Sequence, residues 1–448
     1  MMKRNWVAFA ICSILTVNAP AFSKGRSRDI PLGAGNTNLS GRVYTDQYLF
    51  LRGANEGALE QSSLSAWLDF DTHSESGLGL RAIGQFDAFY RSILNPAEPS
   101  FKAQLREGYV SYLGTGTEIK IGQQIIPWGK SDGVNPTDYF TAKDYTLLNP
   151  DDEVRRLGAL AANVSFTPKQ GTSPFTFQFV IQANYPQTKL LIPAGSIPAG
   201  VSFQRYPDAP VPFQMNSFEF GGKISFQKPD FDFSISAFSG YTHFPQYIVD
   251  STSLSVRPIT PAETAVGGDA SFTLDAYIVR LESALHMPEN GRDTDPLAGL
   301  VQPWHWDSVV GLERPIGDDF RAQFQFLYRW YVYYRNPTIA TPNPTLNQLL
   351  LGVANANALI LNYQRQGNPG ATFRLAYANE QSDFSADVFL IGYFSQGQDY
   401  LLRPQLGYTP VTNLKFTLGA DVYGGDQSRP LGALRDRTHA FFEGKYVF

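Results

Sequence analysis

The chain has 448 residues, 43% hydrophobic, 14% aromatic and only 17% charged, with 36 Lys and Arg against 41 Asp and Glu for a net charge of −5. After the N-terminus no run reaches the roughly 18 uncharged apolar residues of a membrane-crossing helix, so a multi-helix membrane protein is excluded. The mild acidity argues against nucleic acid as a partner, and no motif calls for a cofactor or a metal.

In chain order, the first predicted element is a secretory signal. Lys3-Arg4-Asn5 precede an uncharged, largely apolar run, Trp6 to Val17, which leads into Ala19-Pro20-Ala21. A basic start, a short apolar centre and a small-residue ending are the three parts of such a signal. Removal of residues 1–23 takes Cys12, the only cysteine, with it, so disulfides, thiolate metal sites and cysteine nucleophiles are not expected in the exported chain.

From residue 39 onward the sequence alternates. Segments 39–52, 62–72, 77–91, 102–113 and 116–126 switch between apolar and polar residues with period two, the signature of strands with one apolar face. The pattern resumes at 156–166 and is clean from Phe175 to Tyr185, where Phe175, Phe177, Phe179, Ile181, Ala183 and Tyr185 oppose Thr176, Gln178, Gln182 and Asn184. It continues at 218–227, 231–241, 266–274, 277–287, 304–314, 320–335, 370–380, 384–395, 399–409, 413–424 and 437–448. Phe320 to Arg335 is the longest, although Leu327, Tyr331 and Tyr333 blur its polar face. Tight turns such as Gly114-Thr115 and Lys228-Pro229-Asp230 alternate with long connections at 127–155, 186–216, 245–265 and 336–369. Eighteen strands, short turns on one side and long loops on the other predict an all-β, transmembrane, antiparallel up-and-down β-barrel of 16–18 strands. Apolar faces ending in Tyr or Trp (Tyr90, Tyr185, Tyr241, Trp330, Tyr408) fit aromatic girdles around a lipid-facing band. The expected organisation is a signal at 1–23, a short periplasmic segment at 24–38 and one barrel at 39–448.

The connection from Pro127 to Arg155 concentrates charged residues. Lys130, Asp132, Asp138, Lys143, Asp144, Asp151, Asp152, Glu153 and Arg155 lie in it, with Arg156 adjoining. Its aromatics (Trp128, Tyr139, Phe140, Tyr145) and Asn-Pro pairs predict order, and a long ordered loop in a compact protein is usually functional. It is expected to fold into the pore mouth as a constriction. The strand end I-G-Q-Q-I-I-P-W-G at 121–129, followed by Asn135-Pro136, resembles a motif of a large family of proteobacterial outer-membrane barrels of unknown function, relatives of general porins. The matching residues are Gly122, Gln123, Gln124, Trp128 and Gly129, and Gln123 stands where a basic residue is common in that family. The resemblance covers 118–158 and implies a barrel with porin-like transport.

With polar faces inward, Lys120, Arg280, Glu282, Arg321, Arg329, Arg374 and Arg403 are candidate selectivity residues of the lumen, and the four arginines from β-segments near the C-terminus are expected to form a positive ladder. The loop at 186–216 is proline-rich and apolar, with packing into the barrel mouth favoured over binding of hydrophobic solutes; 347–361 reads as a short helix lying in a loop. None of the five His has metal-ligand spacing and no G-x-S-x-G elbow occurs, so no enzyme is expected; His305, between Trp304 and Trp306, is expected at an interface. The last strand places Phe442, Tyr446 and the terminal Phe448 on one face. It resembles the C-terminal signal that the outer-membrane assembly machinery of Gram-negative bacteria reads. The expected function is passive diffusion of small solutes across the outer membrane, with membrane lipid and lipopolysaccharide around the barrel and a homo-oligomer as an open option. The alternative is a barrel for hydrophobic compounds, or one that sheathes a partner.

Overall fold

The computed structural model describes residues 28–29, 35–91, 100–169, 173–190, 201–208, 210–289, 291, 302–335, 342–379, 382–394 and 399–448. The expected signal at 1–23 and the apolar stretch at 191–200 lie outside the described residues.

Eighteen antiparallel strands close into a barrel. They are β1 (Gly35–Phe50), β2 (Leu59–Ser74), β3 (Leu78–Arg91), β4 (Phe101–Gly114), β5 (Thr117–Gln124), β6 (Ala159–Phe166), β7 (Phe175–Gln182), β8 (Glu219–Lys228), β9 (Phe231–Tyr241), β10 (Ala262–Leu274), β11 (Tyr277–Pro288), β12 (His305–Ile316), β13 (Phe320–Tyr331), β14 (Gly367–Ala378), β15 (Phe384–Tyr393), β16 (Asp399–Val411), β17 (Leu414–Gly425) and β18 (His439–Val447). Each pairs with its neighbours in sequence, and β18 closes on β1 with Arg42 opposite Val447 and Phe50 opposite His439. Closure leaves no open edge, which a sheet in lipid requires because nothing there can hydrogen-bond a free backbone. No described helix is long and apolar enough to cross a membrane.

The alternation has its physical outcome here. Leu64, Phe86, Phe179, Ile235, Val310, Phe324 and Leu418 point outward and are exposed. Tyr90, Trp306, Trp330 and Tyr400 ring the end with long loops, while Tyr112, Tyr408 and Tyr446 ring the other. The inner face is polar and yet buried, as Gln85, Asp87, Glu219, Glu282, Gln325 and Asp421 show. Loops occupying the lumen cover it.

Two strands stop sooner than the pattern predicts. β13 ends at Tyr331, because beyond it the chain leaves the wall: the Tyr331 hydroxyl donates to the Leu361 carbonyl at 2.7 Å and that of Tyr334 to Gln364 at 2.6 Å. β7 ends at Gln182, so Ala183 and Tyr185 are buried and not lipid-facing; Tyr185 stacks on Tyr241 with ring centroids 4.2 Å apart. The loop helix starts earlier than expected, at Pro344, and runs to Ile360. Asn343 caps it by accepting from the N–H groups of Thr345 and Leu346. Its buried side packs Leu349, Leu350, Val353 and Ala354 against Tyr145, Leu190, Tyr247, Val256 and Tyr331, so four long connections share one apolar core.

Candidate functional site in the barrel lumen

The connection 125–158 runs from β5 into the lumen. Ile126, Trp128, Tyr139 and Phe140 pack on Ala161, Val180, Phe238, Ala265 and Ala284, inner-wall residues of β6, β7, β9, β10 and β11. Small residues on that wall make room: a Cβ at Gly221 would lie 2.5 Å from the Phe140 ring and 2.9 Å from Trp128. Asp132 then reaches Gln323 of β13. The returning half packs Leu147 and Val154 on Tyr44, Trp67 and Ile83, and Leu148 on Tyr48 and Phe441. The Asn149 amide donates to Asp46 of β1 at 3.1 Å. Opposite walls of the barrel are thereby joined through one loop.

Most charges of this loop are paired with the wall or with each other. Lys130 meets Asp232 and Asp269, the latter at 3.0 Å; Lys143 and Arg156 each lie 3.1 Å from Asp152. Asp144 is buried with Lys102 at 3.5 Å and Lys189 at 3.8 Å. Asp151 receives Lys445 of β18 at 3.3 Å and Arg42 of β1 at 3.9 Å, and Glu153 receives Arg42 at 3.1 Å. Burial opposes ionisation of Asp144, Asp151 and Asp152, but these cations outweigh it and hold all three carboxyls below the ordinary value. Asp138 is the exception. Burial raises its carboxyl above the ordinary value despite Lys143 and Arg156, and its oxygen accepts from the Trp128 N–H at 3.2 Å. Arg155 donates to the carbonyls of Leu147, at 3.2 Å, and Asn149, and its guanidinium lies 5.8 Å from the Tyr145 ring.

On the wall, each arginine of the expected ladder has an acid beside it. Arg321 lies 3.4 Å from Glu313, Arg329 is bidentate to Asp307 at 2.6 and 2.5 Å, Arg374 lies 2.5 Å from Asp387, and Arg403 grips Asp421. Arg280 shares Glu313 at 2.5 Å, and Lys120 sits 2.8 Å from Glu118. The ladder is one of ion pairs, with Arg321 the most open to water. Glu282 is covered by the loop. In the motif, Gly122 and Gln123 lie in β5 opposite Tyr109 and Gly108, the Gln124 amide donates to Ala161 at 2.9 Å, and Trp128 is buried. Phe442 and Tyr446 face outward; Phe448 exchanges backbone hydrogen bonds with Gly41 at 2.9 Å.

Between the loop and the wall lies a small cavity of about 10 Å³ with buried lining. Tyr145, Leu148, Asn149 and Arg155 line it on the loop side, and Tyr48, Leu401, Arg403, Asp421, Tyr423 and His439 on the wall. Arg403 donates to Asp421 at 2.8 Å; His439 reaches Asp421 at 3.1 Å and Glu60 at 3.5 Å, and Glu60 also holds Arg437. Tyr48, Tyr423 and His439 were not among the residues expected from the sequence. The available signal was an aromatic residue on an otherwise polar strand face.

His305 is corrected: it is buried inside the barrel and stacks on His286 with centroids 4.8 Å apart. The pairing of β11 with β12 also brings Asp307 close, so that ligand atoms of all three lie within 4.8 Å. These atoms are already engaged. The nitrogens of His286 face Glu263 at 2.9 Å and the Pro136 carbonyl at 3.0 Å, and both Asp307 oxygens bind Arg329, so the cluster does not fit a cation.

No family model matches the chain, and no curated protein matches it in sequence. Solved structures do share its fold. OccAB4 of Acinetobacter baumannii is 7% identical, with 93% of this chain and 98% of that one covered and a TM-score of 0.55. The outer-membrane protein OpdK of Pseudomonas aeruginosa, solved with vanillate, is 10% identical over 92% and 98% of the two chains with a TM-score of 0.52. OccK2 (OpdF) of Pseudomonas aeruginosa, solved with glucuronate, is 10% identical over 92% and 98% with a TM-score of 0.53. At these identities the likeness is one of fold.

Proposed function

We propose that the chain is an outer-membrane channel through which small solutes diffuse passively, with the loop 125–158 as its constriction. The observation behind this reading is the path of that loop, attached to opposite walls of a barrel whose inner face is polar. Its charged residues, from Lys130 to Arg156, and the wall pairs of Lys120, Arg280, Arg321, Arg329, Arg374 and Arg403 set which solutes pass. Reacting groups arranged for catalysis are not part of this reading; the chain is a conduit and not an enzyme.

Arg321, the wall arginine most open to water, is the cation that a passing anion meets, and vanillate and glucuronate, present in two of the similar structures, are small carboxylates of the kind it suits. Lipid and lipopolysaccharide cover the outward band, and Phe442, Tyr446 and Phe448 serve recognition by the assembly machinery.

Planar-bilayer recording tests the reading. The purified barrel is expected to carry ionic current, and vanillate is expected to interrupt that current more than its neutral amide does. Neutralising Arg321 and Arg329 together is expected to move the reversal potential toward cation selectivity, because Asp307 is left without its arginine and Glu313 keeps only Arg280. A folded barrel with neither current nor solute flux overturns the proposal.

A further inference from the structure

Two separate stretches of the loop converge on one carboxylate. Glu282 lies in the middle of β11, faces inward and is 2% exposed. Gly129 takes φ +96°, and after this left-handed step the N–H groups of Lys130 and Ser131 both donate to Glu282 Oε2 at 2.9 Å. Thr137, directly after Asn135-Pro136, donates its N–H at 2.8 Å and its hydroxyl at 2.9 Å to Oε1. A Cβ at position 129 would sit 2.5 Å from the same oxygen. Four residues along the strand, His286 meets the Pro136 carbonyl at 3.0 Å. The Trp-Gly and Asn-Pro halves of the sequence motif are thus the two jaws that close on a side chain about 150 residues away.

We infer that Glu282 is the positioning residue that fixes the loop across the lumen, an inference that rests on the channel reading for its electrical readout. Its chemistry is specific. All four partners are donors, so the acceptor must present two oxygens; a glutamine would turn an amide NH2 toward one pair of N–H groups. Hydrogen bonds to an ionised acceptor are also stronger than neutral ones. Alanine at 129 attacks the same contact from the loop side, through the backbone angle and the Cβ, and leaves the wall charge intact.

The experiment compares the wild type with Glu282→Asp, Glu282→Gln, Glu282→Ala, Gly129→Ala and the Gly129→Ala/Glu282→Ala double variant, each first shown to be a folded barrel by heat-modifiable gel mobility. The undocked loop is expected to gain about tenfold or more in population in Glu282→Ala, since even one lost hydrogen bond to a charged group has that weight. It appears as more frequent excursions of the open-channel current to other levels. Glu282→Asp restores part of the quiet current, Glu282→Gln does not, and the double variant is no noisier than either single one. Trypsin cleavage after Lys130 and Lys143 gives a readout independent of conduction: slow in the wild type and faster in Glu282→Ala. A wild type that carries no current but shows this protease difference removes the channel reading and keeps the latch. Folded Glu282→Ala and Gly129→Ala barrels with wild-type protease resistance overturn the latch.

Discussion

Arg403 and Asp421 meet on adjacent strands with side chains 3% and 6% exposed, deep enough that neither charge is well solvated alone. Removing one partner of such a pair strands the other. Asp421→Ala is therefore expected to destabilise the barrel by about 3–5 kcal/mol, whereas Arg403→Gln with Asp421→Asn recovers much of the loss. Denaturant unfolding in detergent micelles measures both. The loop carboxylates make a pH prediction of definite sign. Asp144, Asp151 and Asp152 lie below their ordinary 3.8 in the folded chain, so their contribution is complete above about that pH and is lost as pH falls through the lowered values. His243, beyond the end of β9, behaves oppositely. Burial favours its neutral form, but Glu219 at 3.2 Å outweighs that and raises it above 6.5, so its contribution is present below that value and fades as pH rises through the raised one. Protease resistance of the loops is expected to decline at both ends, and His243→Gln removes only the alkaline decline.

At the scale of the strand, side-chain direction decides everything. Ile235 sits halfway along β9, points outward and is 57% exposed, so Ile235→Arg is expected to cost about 2–4 kcal/mol, which reversible unfolding from liposomes measures. That period-two rule is why the strands were legible from the sequence, down to which residues face out. The places where it blurred carried information of another kind. Leu327 and Tyr331 interrupt the polar face of β13 because they face inward, where apolar clusters made partly by loops cover them. The candidate site was legible only in part. Charge density singled out 127–156, but the attachment of Lys130 and Thr137 to Glu282, and the meeting of His286 with His305, depend on strand register and on contacts far apart in sequence. No local spacing encodes them.

For the molecule as a whole, a polar-lined cylinder is narrowed from within by its own loops. Deletion of residues 131–154 is expected to raise single-channel conductance severalfold, and unchanged conductance counts against the constriction. The same segment holds the junction of the first and last strands. Asp151 draws Arg42 from β1 and Lys445 from β18, and Asn149 binds Asp46 beside them. The first and last strands of the barrel are thus riveted by a loop that lies between them in sequence, on the inner side of their own pairing. Closing the cylinder requires β18 to pair with β1, and a loop already seated there would offer the arriving strand an acid to grasp. Asp151→Ala should then slow completion of the barrel as well as loosen the seated loop, a defect of kinetics visible as lingering open-seamed intermediates.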